Sequence, residues 1–153
     1  MNDKLRIVEV SLDHLDDLVS LFDQYRIFYK QASDKNAATS FLKERIEKKE
    51  SIIFLAYLEN IAVGFTQLYP SFSSVSMQRS MILNDLYVNE KARSKGIANA
   101  LLKKAQTYAT DNKMKGLALE TAKDNPAQKL YEKLSWEKDE DYLHYFWSSK
   151  KTN

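Results

Sequence analysis

No cysteine occurs among the 153 residues. Disulfides, thiolate nucleophiles and cysteine-based zinc sites are excluded together. Glycine is scarce, with three residues, and neither Gly-x-Gly-x-x-Gly nor Gly-Lys-Ser/Thr occurs. A dinucleotide-binding fold and a phosphate-binding P-loop are therefore unsupported. No excess of one charge is present: 23 basic residues stand against 21 acidic ones, for a net charge of +2. That balance removes the electrostatic case for a nucleic-acid partner. No long apolar run follows the polar stretch from Met1 to Arg6, so neither a signal peptide, a membrane span nor a membrane partner is expected, and a cytoplasmic location fits. His14 and His144 have no partner at metal-ligand spacing, and no metal is expected.

What is present is an ordinary globular composition, 44% hydrophobic and 29% charged. The length suits one domain, 1–153, around a single core. Lys4 to Val10 alternates as a short strand. Ser11 or Asp13 can cap a helix whose apolar stripe is Leu12, Leu15, Leu18/Val19, Phe22, Tyr25 and Tyr29. Ser33 to Lys35 breaks the pattern, and a second helix follows with Ala37, Ala38, Phe41, Leu42 and Ile46 on one side. Ser51–Leu58 and Ile61–Tyr69 read as a hairpin closed by Glu59-Asn60. Pro70 to Ser76 reads as a serine-rich loop before a strand over Ser80–Val88. Ser94–Asn112 is the longest helix, Gly116–Thr121 a strand and Pro126–Leu134 a short helix with proline at its start. Trp136–Lys138 and Tyr142–Ser148 read as two final strands. The order β-α-α-β-β-β-α-β-α-β-β implies an α/β fold: a mixed sheet with helices on its faces.

One segment has a chemical signature. A strand ending Asn84-Asp85-Leu86-Tyr87-Val88 passes through a short loop into Arg93-Ser94-Lys95-Gly96-Ile97-Ala98, which opens the long helix. A helix N-terminus offers unsatisfied N–H groups and the positive end of its dipole to an anion. Gly96 lets the backbone come close to a bulky anion, and Arg93 and Lys95 add charge. An ordinary basic turn would use the same residues.

Arg93-x-x-Gly96-x-Ala98 after Leu86-Tyr87-Val88 resembles the pyrophosphate-binding signature of the GNAT superfamily of N-acetyltransferases. Thirty residues on, Asn125-Pro126-Ala127 with Leu130-Tyr131-Glu132-x-Leu134 resembles the second motif of that family, and Leu119-Glu120-Thr121-Ala122 stands where its fifth strand lies. Tyr25-Arg26-x-Phe28-Tyr29 and Leu83–Val88 are similar to a bacterial branch related to the yeast histone and polyamine acetyltransferase-like enzymes. Ser94 stands where many members have glycine, and Asn84 where diamine acetyltransferases have glutamate.

The resemblance implies a mostly antiparallel sheet splayed between the strands Leu83–Val88 and Leu117–Thr121, with acetyl-CoA bound in the cleft. Leu86, Tyr87 and Val88 would pair with the pantetheine, and one of their N–H groups would polarise the thioester carbonyl. Ser94, Lys95, Gly96, Ile97 and Ala98 would hold the pyrophosphate beside Arg93. Asn125 would contact the cofactor. The acetyl group would pass to a primary amine, a small molecule or a protein lysine, by direct attack in a ternary complex. Tyr131 matches the family's proton donor to the departing thiolate. The base is open among Asp85, Glu120 and a group acting through water. Tyr25, Arg26 and Tyr29, one helical turn apart, would line the acceptor pocket with Asp85; as plain structure they complete the apolar stripe. A catalytically silent acyl-CoA-binding module on the same fold is the rival reading. The aromatic run Tyr142 to Trp147 reads either as core or as an edge that pairs in a homodimer.

Overall fold

The computed structural model describes residues 4–149. The chain divides into two compact units, one running to Glu120 and one starting at Thr121. The first contains a five-stranded sheet: β1 (Leu5–Glu9), β2 (Ile52–Leu58), β3 (Ile61–Ser73), β4 (Gln78–Val88) and β5 (Leu117–Ala118), in that spatial order. The first three junctions are antiparallel and the last is parallel. Its helices are α1 (Leu15–Phe28), α2 (Lys35–Glu47) and α3 (Ile97–Asp111). The second unit contains α4 (Gln128–Lys133).

Local chemistry sets most boundaries. The Ser11 hydroxyl accepts the Asp13 N–H, while His14 Nδ1 accepts the Ser11 N–H at 3.0 Å. This reciprocal cap starts a single 3-10 turn, Leu12–His14, that runs into α1. Asp34 caps α2 by accepting the Ala37 N–H at 3.0 Å. Asp23, buried in α1, ties down the loop before it: its carboxylate accepts from the Ser33 hydroxyl at 2.6 Å and the Asp34 N–H at 2.8 Å. Those two hydrogen bonds, Ser33's first, hold the Asp23 carboxyl below the ordinary range. Glu59 and Asn60 both take positive φ, 50° and 67°, as a two-residue hairpin turn of the primed type requires.

The sheet carries helices on both faces. Leu18, Leu21 and Phe22 of α1 and Ala38 and Leu42 of α2 pack with Ile53, Leu55, Tyr57 and Phe65. On the other face Tyr108 of α3 meets Phe54 edge-on, ring centroids 5.8 Å apart, and Ile97 lies over Gly64. A Cβ on Gly64 would sit 2.9 Å from the Tyr87 carbonyl oxygen and 3.4 Å from Ile97 Cγ2. Gly64→Ala is thus expected to destabilise the protein by about 1–3 kcal/mol, the usual cost of overpacking, read as a lower midpoint in chemical denaturation.

Three sequence expectations change. Pro70 lies inside β3, not in a loop, and β4 begins at Gln78. The reason is local: β2 pairs with β3 only as far as Leu68, so beyond it β3 has β4 as its one neighbour. An edge tolerates proline. The fifth strand shrinks to Leu117–Ala118, paired with Met81 and Ile82. The two final strands do not form among the described residues. No strand is assigned over Tyr142 to Trp147. Tyr142, Leu143, Tyr145, Phe146 and Trp147 are each at least three-quarters exposed, so the core reading of this run does not hold.

Candidate active site

The site starts from an irregularity in β4. Gly64 to Gln67 pair with Val88 to Asp85, but Leu68 pairs with Leu83. Asn84 is the extra residue of a β-bulge. Without it, Met81, Leu83 and Asp85 would alternate onto one face. With it, Leu83 stays opposite Leu68 while Asp85 turns to the α1 face opposite Gln67. The Thr66 hydroxyl, on the other face, donates to the Asp85 carbonyl oxygen at 2.7 Å and satisfies main chain at the bulge.

Asp85 is nearly buried, at 6% exposure. Its Oδ2 accepts from Gln67 Nε2 at 2.8 Å and its Oδ1 from Asn84 Nδ2 at 3.1 Å. The negative charge of Asp85 also acts on the Tyr25 hydroxyl of α1. Burial, and after it the Asp85 charge, push the Tyr25 hydroxyl far above its usual range. Tyr69, two residues past Gln67, is pushed up to about 12, by burial first and then by Asp85. Gln67 is fully buried, and its Oε1 finds no hydrogen-bond partner. An orphaned buried acceptor costs about 1–3 kcal/mol.

Aromatic side chains frame this carboxylate. Tyr25 meets Tyr29 and Phe65 edge-on at 5.2 Å and 5.5 Å and lies 5.9 Å from Tyr87. Arg26 does not join them: its guanidinium donates to the Ala32 carbonyl at 3.0 Å. That bond closes the loop after α1, which one-turn spacing alone could not reveal. Glu120 is exposed beyond the end of β5. Gln67 is absent from the sequence-derived candidates, although Thr66-Gln67, two polar residues inside an apolar hairpin strand, was a readable signal.

The same strand leads to the proposed anion site. β5 pairs with β4 only at Met81 and Ile82, so Leu86, Tyr87 and Val88 have β3 on one side and no described strand on the other. After Val88 comes a 3-10 turn, Glu90–Ala92, capped by Asn89, whose side chain accepts the Lys91 N–H at 3.0 Å. Arg93 folds back: its Nε donates to the Val88 carbonyl at 3.0 Å, and its guanidinium lies over Phe28 and Tyr87. Ser94 and Gly96 take positive φ, 63° and 79°. No side chain caps α3. A Cβ on Gly96 would meet nothing within 4 Å. The space beside Gly96, at the start of α3, is thus open, as the close approach of a phosphate requires.

In the second unit, Asn125 Oδ1 accepts the Ala127 N–H at 2.8 Å and so shapes the entry to α4. Tyr131, on α4, has its ring tilted against Trp136 at 5.9 Å.

Residues 15–136 match the family model described as the acetyltransferase (GNAT) family. The chain belongs to the GNAT acetyltransferase family. Among curated relatives of this acetyltransferase is an uncharacterized N-acetyltransferase of Bacillus subtilis (strain 168), YhfO, 50% identical over 129 residues that cover 84% of this chain and 87% of the relative. A thialysine N-epsilon-acetyltransferase of Caenorhabditis elegans is 30% identical over 105 residues, 69% of this chain and 65% of its own length. Among solved structures, the crystal structure of a probable acetyltransferase superposes with a TM-score of 0.90 at 41% identity, covering 96% of this chain and 99% of the other. The mixed sheet of the acetyltransferase, with helices on both faces, is the family fold. Among the described residues no group of three or more His, Cys, Asp or Glu could hold a metal ion, and no helix is long and apolar enough to cross a membrane.

Proposed function

We propose that the two units form one acetyltransferase domain that moves an acetyl group from acetyl-CoA to a primary amine. The observation that carries this reading is the unpaired edge of β4 at Leu86–Val88 running into the uncapped start of α3 behind Gly96. A pantetheine arm is chemically a peptide-like chain of amides, and an open strand edge takes such a chain by adding it as a strand. A pyrophosphate is a compact anion suited to the N–H groups from Ser94 to Ala98. Acetyl-CoA bound there supplies an activated thioester. Asp85 and the faces of Tyr25 and Tyr29 attract an ammonium. The amine must lose a proton before attack, and a lysine-like amine holds it up to a pH of about 10.4. Asp85 is the candidate to receive that proton, directly or through water. Glu120 is the weaker candidate, because it is exposed where Asp85 is buried. Tyr131 is the candidate to protonate the departing thiolate. The thialysine acetyltransferase of Caenorhabditis elegans supports a lysine-like acceptor, small molecule or protein-borne.

The test follows thiol release from acetyl-CoA with a panel holding lysine, thialysine, putrescine, a lysine peptide and an aminoglycoside. Turnover with at least one amine is expected, with a rate that climbs with pH. Binding of acetyl-CoA with no acceptor turned over would instead establish a silent binding module. Asp85→Asn is expected to lower kcat/KM for the best amine by roughly a hundred-fold, as loss of a general base does, with KM for acetyl-CoA unchanged. Wild-type kcat/KM in that variant would remove Asp85 from the mechanism.

A further inference from the structure

We infer that Gln67 is a positioning residue for Asp85, its side-chain amide oriented to fix the carboxylate at the expense of its own oxygen. The inference rests on the proposed acceptor role of Asp85. Gln67 lies on β3 directly opposite Asp85 and is fully buried. Its amide has one donor end on Asp85 Oδ2 at 2.8 Å and an oxygen end with no partner. A residue selected for packing alone would be apolar here. Its neighbours along the inward faces, Phe65 and Leu68, are both fully buried and apolar.

Turning the amide over would place its oxygen against the Asp85 carboxylate, so the donor is pinned toward Asp85 and the oxygen is left unmatched. Uncompensated polar atoms of this kind gather where function demands them. Asn84 Nδ2 donates to the other carboxylate oxygen, Oδ1, at 3.1 Å. The carboxylate, displaced onto this face by the bulge, is thereby fixed by two side-chain amides. Gln67 is the one drawn from the neighbouring strand's rigid backbone.

The experiment is a double-mutant cycle on the full chain: wild type, Gln67→Met, Asp85→Asn and the pair, assayed with the panel amine of highest kcat/KM. Methionine keeps the volume and removes both polar ends. Gln67→Met is expected to melt at or above the wild-type temperature and to keep its KM for acetyl-CoA. Its kcat/KM for the amine should fall roughly ten-fold to a hundred-fold, the scale of a reacting group displaced by about 1 Å. In the Asp85→Asn background the same change should cost less than about two-fold, because the group being positioned is gone. Gln67→Leu gives the same reading if the methionine variant does not fold. Wild-type kcat/KM in a folded Gln67 variant overturns the inference. So does an equal loss in both backgrounds, which marks a packing role. Full activity in Asp85→Asn instead overturns the acceptor role of Asp85 and this inference with it, a different outcome from failure at Gln67 alone.

Discussion

Gly96→Glu is expected to abolish the rise in melting temperature that acetyl-CoA gives the wild-type protein. A ligand at a hundred times its Kd, bound only by the native state, stabilises by about 2.7 kcal/mol, and a chain of this size gains about 2–4 °C per kcal/mol. Glutamate at Gly96 would fill the open space before α3 with a negative charge, where the start of α3 presents its N–H groups. The backbone at Gly96 is left-handed, φ 79°, so any side chain there costs about 1–2 kcal/mol. Gly96→Ala shares that strain without the charge. It is therefore expected to melt lower without cofactor yet keep part of the shift, whereas Gly96→Glu keeps none and loses activity. An undiminished shift in Gly96→Glu would place the phosphates elsewhere.

Tyr131→Phe is expected to lower kcat by roughly a hundred-fold, within the range of general acid catalysis, with little change in KM for acetyl-CoA. Phenylalanine retains the ring that packs on Trp136 and removes only the hydroxyl, and the melting temperature measured alongside separates lost catalysis from lost stability. A thiol leaving group of lower pKa needs less help from a proton. A more acidic acyl-thioester analogue should accordingly narrow the gap between variant and wild type. Full activity in Tyr131→Phe would leave the tyrosine as packing.

The parts of this molecule legible in its sequence are those governed by neighbours in the chain. The α1 stripe, the Glu59-Asn60 turn and the buried face of α3 at Ile97, Leu101, Ala105 and Ala109 follow from periodicity and turn chemistry. Pro70 misled because its tolerance depends on where β2 stops, a fact of the sheet and not of β3. The aromatic alternation of Tyr142 to Trp147 reads as a strand, yet none is assigned there, because strand propensity is decided by context more than by residue type. Asp85 is the more instructive case. Alternation through Met81 and Leu83 puts it among buried leucines, and only the pairing with β3 reveals that it faces Gln67 and Tyr25. Arg26 is held by a contact that no local rule foretells: its carbonyl partner lies six residues on, in the loop after α1.

The extra residue at Asn84 also governs which changes of chain length the β3–β4 ribbon can absorb. Insertions at the tip, between Ser73 and Gln78, lengthen a four-residue loop and leave every pairing below it in place. Deleting Asn84 acts differently. It restores unbroken alternation and forces a choice: either the segment from Gln78 to Leu83 is inverted, or Asp85, Tyr87 and the strand end that leads to Gly96 are. The first exposes Met81 and Leu83; the second carries the carboxylate to the α3 side. A one-residue gap at this point is therefore equivalent to rebuilding half a sheet face, whereas a gap of the same size eight residues earlier is silent. Natural variants and engineered grafts of this hairpin should vary freely at its tip and hold their length at its waist.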